Sequence, residues 1–329
     1  MARLDIGTSI IEETENDKLD HFSYNPLGVA NTYGVVLISE DEKQQRLQIH
    51  YEIDVICLDE TEDNHFEFEV FKHQVYINEK TPDILIDELS ERCGKVMYPL
   101  LLKVNRQGLA VGILNQEDII KRWETEKDSI NQSYKGKETD LLLKNMDIVV
   151  NNTNQLTDLV LQRDWFIKLF FSPLYNINLT DKKKNKISFP FIPYAPGVIF
   201  ETKNKMSTHS NKKNDIVIKQ KGKCIDPRSE RDILRGNLIS IDKIKKPVKG
   251  KLDLKYQIYK DSSIADAITG VCNLDFPSGK IKNMTVEMYN LKNKTPLSSA
   301  KRAALFEITE EEEKNVPKKK KKRFFFFGK

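Results

Sequence analysis

No apolar run in this chain approaches the roughly 18 residues that a membrane-spanning helix needs, which argues against such a helix. The opening residues, Met1-Ala2-Arg3-Leu4-Asp5-Ile6-Gly7, lack the continuous apolar stretch of a signal peptide, so the expected compartment is the cytoplasm. Cysteine is scarce: Cys57, Cys93, Cys224 and Cys272 lie far apart with no CxxC pair, and in a reducing compartment they read as buried thiols rather than two disulfides. There is no phosphate-cradling GxxxxGK[ST], no GxSxG elbow, no HExxH and no EF-hand loop. No nucleophile, base and orienting group can be nominated together. The chain therefore reads as a non-enzyme, with no cofactor and no metal. A net charge of +4 over 329 residues is too small to imply a nucleic-acid partner by itself.

What is present is strand and helix periodicity. Leu47, Ile49, Tyr51, Ile53, Val55 and Cys57 alternate with Gln48, His50, Glu52, Asp54 and Ile56, the mark of a strand with one buried and one wet face. Phe66, Phe68 and Val70 repeat the pattern, and a change of phase at Phe71-Lys72 predicts a bulge before Val75-Tyr76-Ile77. Thr81-Pro82-Asp83 opens a helix with Ile84, Leu85 and Leu89 on its apolar side. The stretch Lys95 to Gln132 organises the rest. Its run Val96 to Leu102 is read as a buried strand, Asn105-Arg106-Gln107-Gly108 as a tight turn with Gly108 left-handed, and Leu109 to Leu114 as the returning strand. Asn115 then offers an N-cap to a helix that turns Ile119, Ile120, Trp123 and Ile130 to one side. That helix is expected to cover the buried face of the Leu47–Val55 strand.

Two more helices are expected between 138 and 163, broken at Asn151-Asn152-Thr153-Asn154. The aromatic stretch Asp164 to Tyr175 is a core seam in the plain reading and a ligand gate in the sharper one. Lys182 to Lys186, followed by Phe189-Pro190-Phe191-Ile192-Pro193, reads as an extended connector. Beyond Gly197, five consecutive antiparallel strands are expected, with a short helix in Asp226 to Gly236 and a hairpin turn at Asp275 to Lys280. The expected fold is thus α+β: curved antiparallel β-sheet or sheets packed on a central group of α-helices, with a flexible C-terminal tail. Residues 1–28 form an arm, 29–175 a β-meander plus helices and 176–196 a Lys/Pro-rich connector. Residues 197–309 form a β-rich region able to share one sheet with the first, and 310–329 an acidic, basic and aromatic tail.

Candidate sites are few. His65 and His73, near Asp63, Glu67 and Glu69, can be drawn as a metal site, but solvated strand positions explain them better because ligands must converge. Asp59 to Asp63 reads as a charged hairpin loop. Residues 200–255 are rich in lysine, with Tyr256 and Tyr259 nearby, as in sheets that bind single strands. Lysines also protect sheet edges, and arginine is scarce there, which weighs against nucleic acid. The tail is the main candidate. Glu310 to Glu313 precede Pro317, then Lys318, Lys319, Lys320, Lys321, Lys322 and Arg323, then Phe324, Phe325, Phe326 and Phe327. Four rings on a solvated terminus need somewhere to go, so the tail is read as a docking segment for a protein partner or a membrane surface. The expected function is a noncatalytic interaction or assembly protein. The alternative is a carrier holding a lipid or other apolar ligand between sheet and helices. Abundant Lys, Asn and Ile suit an AT-rich bacterial source.

Overall fold

The computed structural model describes residues 23–82, 85–176, 184–192, 195–209, 215–241, 246–259 and 263–298. Residues 1–22 of the expected arm and the whole tail from 299 onward, with every candidate docking residue, lie outside the described residues. The described chain builds one antiparallel sheet of eleven strands. These are β1 (Ala30–Asp41), β2 (Arg46–Glu60), β3 (Phe66–Ile77), β4 (Leu100–Val104), β5 (Ala110–Ile113) and β6 (Asn185–Phe189), followed by β7 (Val198–His209), β8 (Asp215–Cys224), β9 (Lys249–Tyr259), β10 (Ala265–Asp275) and β11 (Ile281–Asn290). Their order across the sheet is β5-β4-β3-β2-β1-β11-β10-β9-β8-β7-β6, so the first and last strands pair in the middle and the two β-rich regions form one sheet. Helices α1 (Leu85–Lys95), α2 (Gln116–Ser133), α3 (Lys137–Val150), α4 (Thr153–Arg163) and α5 (Trp165–Phe170) fall between β3 and β6, and α6 (Glu230–Leu234) between β8 and β9.

Alternation sets the two faces. Tyr51, Ile53 and Val55 are buried, and Ile49 packs against the core. Leu47 departs from expectation at 43% exposed. It lies near the tip of the β1–β2 hairpin, opposite Ser39, where little remains to cover it. The expected bulge in β3 exists: Ile53 pairs with Lys72 while Tyr51 pairs with Val75. The strand expected from Val96 begins only at Leu100, because Val96 to Pro99 form a buried turn in which the Met97 and Tyr98 N–H groups donate to the Gly94 and Lys95 carbonyls. Proline has no N–H for a ladder, and the strand starts after it. Gly108 has φ +81°, and a Cβ there would meet the Tyr175 ring at 2.5 Å, so the turn needs glycine on two counts. Asn115 does stand at the N-cap of α2, but its side chain caps nothing; it accepts from the Leu101 N–H at 2.9 Å and donates to the Pro99 carbonyl at 2.9 Å. Leu85, expected on the apolar side of α1, is 53% exposed, while Leu89 and Cys93 are buried. Asp83 and Ile84 are outside the described residues. The break between α3 and α4 falls at the asparagines, with the Asn152 side chain accepting from the Gln155 N–H.

The connector expected over 176–196 contains strand β6, which pairs along its length with β7. Phe189 and Phe191 are buried, so this stretch is an edge of the sheet and part of its core. The aromatic stretch after Asp164 is core as well. Phe170 meets Tyr33 of β1 with centroids 5.0 Å apart, Phe171 meets Phe68 of β3 at 5.2 Å, and Trp165 stacks on Phe189 at 5.8 Å. One short segment thereby joins rings from both halves of the sheet. Tyr24 adds to it, stacking on Tyr175 at 4.4 Å.

Candidate functional site

The inner face is filled with side chains. Phe66, Phe68, Trp123 and Trp165 are between 0 and 7% exposed, and none of them lines the open clefts of about 1140, 530 and 230 Å³. Part-buried Lys72 pairs with Asp164 at 2.8 Å, and buried Arg228 pairs with buried Asp226 at 2.7 Å. Arg228 also donates to the Gly197 carbonyl, and Asp226 accepts from the Ile199 N–H, which ties the turn after β8 to the start of β7. All four cysteines are free, and burial pushes the Cys57 thiol up to about 12 and the Cys93 thiol to about 11. Burial raises Cys224 and Cys272 too, which makes all four poor nucleophiles.

The outer face is where groups are left to act. Register lines its residues up in rows. One row runs Lys205, Lys219, Lys255, Thr269, Glu287, Val36, His50 and Tyr76 from β7 to β3. The next runs Lys203, Lys221, Asp253 and Val271, and the one beyond it Glu201, Lys223, Lys251 and Asn273. All seven of these lysines are exposed. Asp253 takes up Lys221 at 3.0 Å and Glu201 lies 3.8 Å from Lys223. Lys205, Lys219 and Lys255 stand directly opposite one another, and among the described residues no carboxylate is within ion-pair distance of them. Tyr256, grouped with these lysines on sequence, points the other way and is 1% exposed. Lys212, Lys213, Lys243 and Lys245 are outside the described residues.

At the β3 end of the same face lies an open cleft of about 1140 Å³, lined by His50, Glu52, Phe71, Tyr76, Tyr289 and Leu291 among others. His50 and Tyr76 stack at 4.8 Å with planes 10° apart. Its lining combines rings, the carboxylates of Glu52, Glu79 and Glu287, and the basic groups of Lys72, Lys95, His50 and His73.

Across this end runs the segment after β11. The Leu291 N–H donates to the Thr32 carbonyl at 2.8 Å, and the Leu291 side chain lies on Gly34, where a Cβ would touch it at 3.4 Å. Lys294 pairs with Glu52, and the Leu297 N–H donates to Asp54 Oδ2 at 3.0 Å. Asp54 is 1% exposed and also accepts from the Thr32 hydroxyl at 2.7 Å. His73 Nε2 lies 3.1 Å from Asp54 Oδ1 but is not aligned for a hydrogen bond. Burial alone would raise the Asp54 carboxyl; His73, Thr32 and the Leu297 N–H together outweigh it and hold it below its ordinary 3.8.

His65 and His73, drawn together on sequence, serve separate carboxylates: His65 Nδ1 is 3.3 Å from Asp63, while His73 belongs to Asp54. Among the described residues no group of three His, Cys, Asp or Glu is placed to hold a metal ion, and no helix is long and apolar enough to cross a membrane. Sequence reasoning missed the Asp54 node, since its partners lie as many as 243 residues away. The one local signal was an aspartate amid the outward-facing set of β2. No protein-family model matches this chain, and no curated protein matches it.

Proposed function

We propose that this chain is a noncatalytic interaction protein of the bacterial cytoplasm that docks to a partner complex or surface, with Lys318 to Phe327 as the docking segment. The observation that supports this reading is the pinning of Leu297 to Asp54: the chain is held against the outer face of the sheet shortly before the tail begins. A docking segment works best when its root is fixed and its groups are free to find a partner, because a fixed root raises the effective concentration of the tethered groups. Lysines then steer the approach and the phenylalanines fill pockets or enter an interface. Deleting 318–329 tests this. The melting temperature should hold while co-purification with a partner is lost or co-sedimentation with anionic vesicles is weakened. A truncated protein that melts several degrees lower and keeps every partner contradicts the reading.

A second reading, a carrier of an apolar ligand, draws on one observation. Helix α4 contacts both β5 and β6, the two edges of the sheet. Laid flat, eleven strands would hold those edges roughly 48 Å apart, whereas an 11-residue helix is about 16 Å long. We infer that the sheet curves around its helices, as carriers do. In this chain the enclosed volume is occupied by its own rings, and a ligand would have to displace the α5 segment. Native mass spectrometry of protein from its own host separates the two: a stoichiometric lipid supports the carrier, a co-purified protein the docking role.

A further inference from the structure

Among the described residues Lys219 and Lys255, unlike Lys221 and Lys223, have no partner in the sheet that explains them. Like charges directly opposite one another on neighbouring strands are destabilising, yet Lys205, Lys219 and Lys255 stand in that relation across three strands. Edge protection covers Lys205 at most, which lies on β7 beyond the last β6 pairing at Thr202; it does not account for Lys219 and Lys255, because β8 and β9 are paired on both sides. A carboxylate would fit the same position, as Asp253 does one row away.

We propose, building on the docking reading above, that the outer face of β7–β9 is a docking surface for an anionic lipid bilayer. The face is a two-dimensional grid of point charges, about 4.8 Å between strands and about 7 Å along them, which suits a plane of headgroups. The outward positions at 201–207, 217–223 and 251–257 carry no aromatic ring and no arginine, so nothing there stacks on bases or reads their edges. The tail supplies the second half of the argument. Leu291, Lys294 and Leu297 lie on the outer face through Gly34, Glu52 and Asp54, so the chain leaves for its tail from the face that bears the lysines. The distance from β2 to β9 is four strand spacings, roughly 19 Å. The stretch from Ser298 to Lys318 can reach up to about 65 Å. Stable attachment to a bilayer takes two weak signals acting together; a lysine face and a basic-aromatic segment in the same chain are such a pair.

The test uses the full chain and vesicles of phosphatidylcholine with and without phosphatidylserine. The full chain should co-sediment with the phosphatidylserine vesicles alone, and salt should release it. Changing Lys205, Lys219 and Lys255 together to alanine should weaken that binding on the order of a hundredfold, since each lysine near an anionic surface contributes about 1 kcal/mol. Arginine at the same three positions should preserve it, which separates lost charge from lost fold. The 318–329 deletion should bind more weakly but remain sensitive to the three lysines. If the alanine variant sediments like the parent while the deletion abolishes binding, the lysine face is not a lipid surface and the tail reading survives alone. If the deletion binds fully and the alanine variant does not, the tail reading falls and the lysine face stands. A chain that ignores both vesicles but retains duplex DNA or RNA in a lysine-dependent manner overturns the lipid assignment.

Discussion

The two ends of one outer row are built in opposite ways. At the β3 end, His50 stacks on Tyr76, and the neighbouring Glu52 and Asp54 are engaged by Lys294 and Leu297 of the returning chain. At the β7 end, Lys205, Lys219 and Lys255 face solvent with no carboxylate partner among the described residues. Strand periodicity is the same at both ends, so the difference lies in what the sheet is given to cover it. One half carries part of its own chain across it, beside an open cleft; the other presents unpaired lysines at a cost in stability. That contrast locates the surface available to something outside the molecule.

The inner face sets the scale for both halves. Trp123 is 1% exposed and its indole N–H donates to Asp147 at 2.8 Å, so Trp123→Ala should lower stability by about 3–5 kcal/mol. Urea denaturation reads this directly, and an unchanged midpoint would remove Trp123 from the core. On the covered half, Asp54→Ala strands the Thr32 hydroxyl and the Leu297 N–H together. A loss of about 2–3 kcal/mol is expected, with faster hydrogen exchange at Leu297. Asp54 also predicts a pH dependence. Its carboxyl is depressed in the folded state, so its contribution is present above its ordinary 3.8 and disappears as pH falls through the lower folded value. Acid unfolding of Asp54→Asn should show a weaker dependence on pH in that window. A profile that matches the parent's would mean the carboxylate is not the anchor. On the open half the sign reverses: Lys219→Glu should stabilise the protein by up to about 1 kcal/mol, because it turns two like-charge contacts into opposite-charge ones. A drop in melting temperature at low salt would show that the lysine row is not a burden on the fold.

Much of the fold was legible because it rests on local chemistry. The alternation from Ile49 to Val55, the Phe71-Lys72 change of phase, the left-handed Gly108 and the asparagine break before α4 all express preferences of a few adjacent residues. Strand β6 was missed because the lysines before it and the prolines after it both signal a connector, while its inward Phe189 becomes informative only once β7 lies beside it. The site was harder. The lysines could be named from sequence, but their alignment depends on registers that no single strand encodes. The Asp54 node required β2, β3 and a segment after β11 to meet. Tyr256 was grouped with the lysines until its burial put it on the other face.

The most direct test of the account is a pair of labels on the two regions. The native thiols are buried or half-buried and pushed up by burial, so a cysteine placed on the surface can be labelled selectively. An environment-sensitive fluorophore would be attached to Lys219→Cys on the open lysine face or to Glu62→Cys in the exposed β2–β3 turn. On adding phosphatidylserine vesicles, the probe at 219 should shift to the blue and lose access to an aqueous quencher, while the probe at 62 stays unchanged. A probe at 219 that remains fully quenchable on vesicle-bound protein would contradict the claim that this half of the sheet is the docking face.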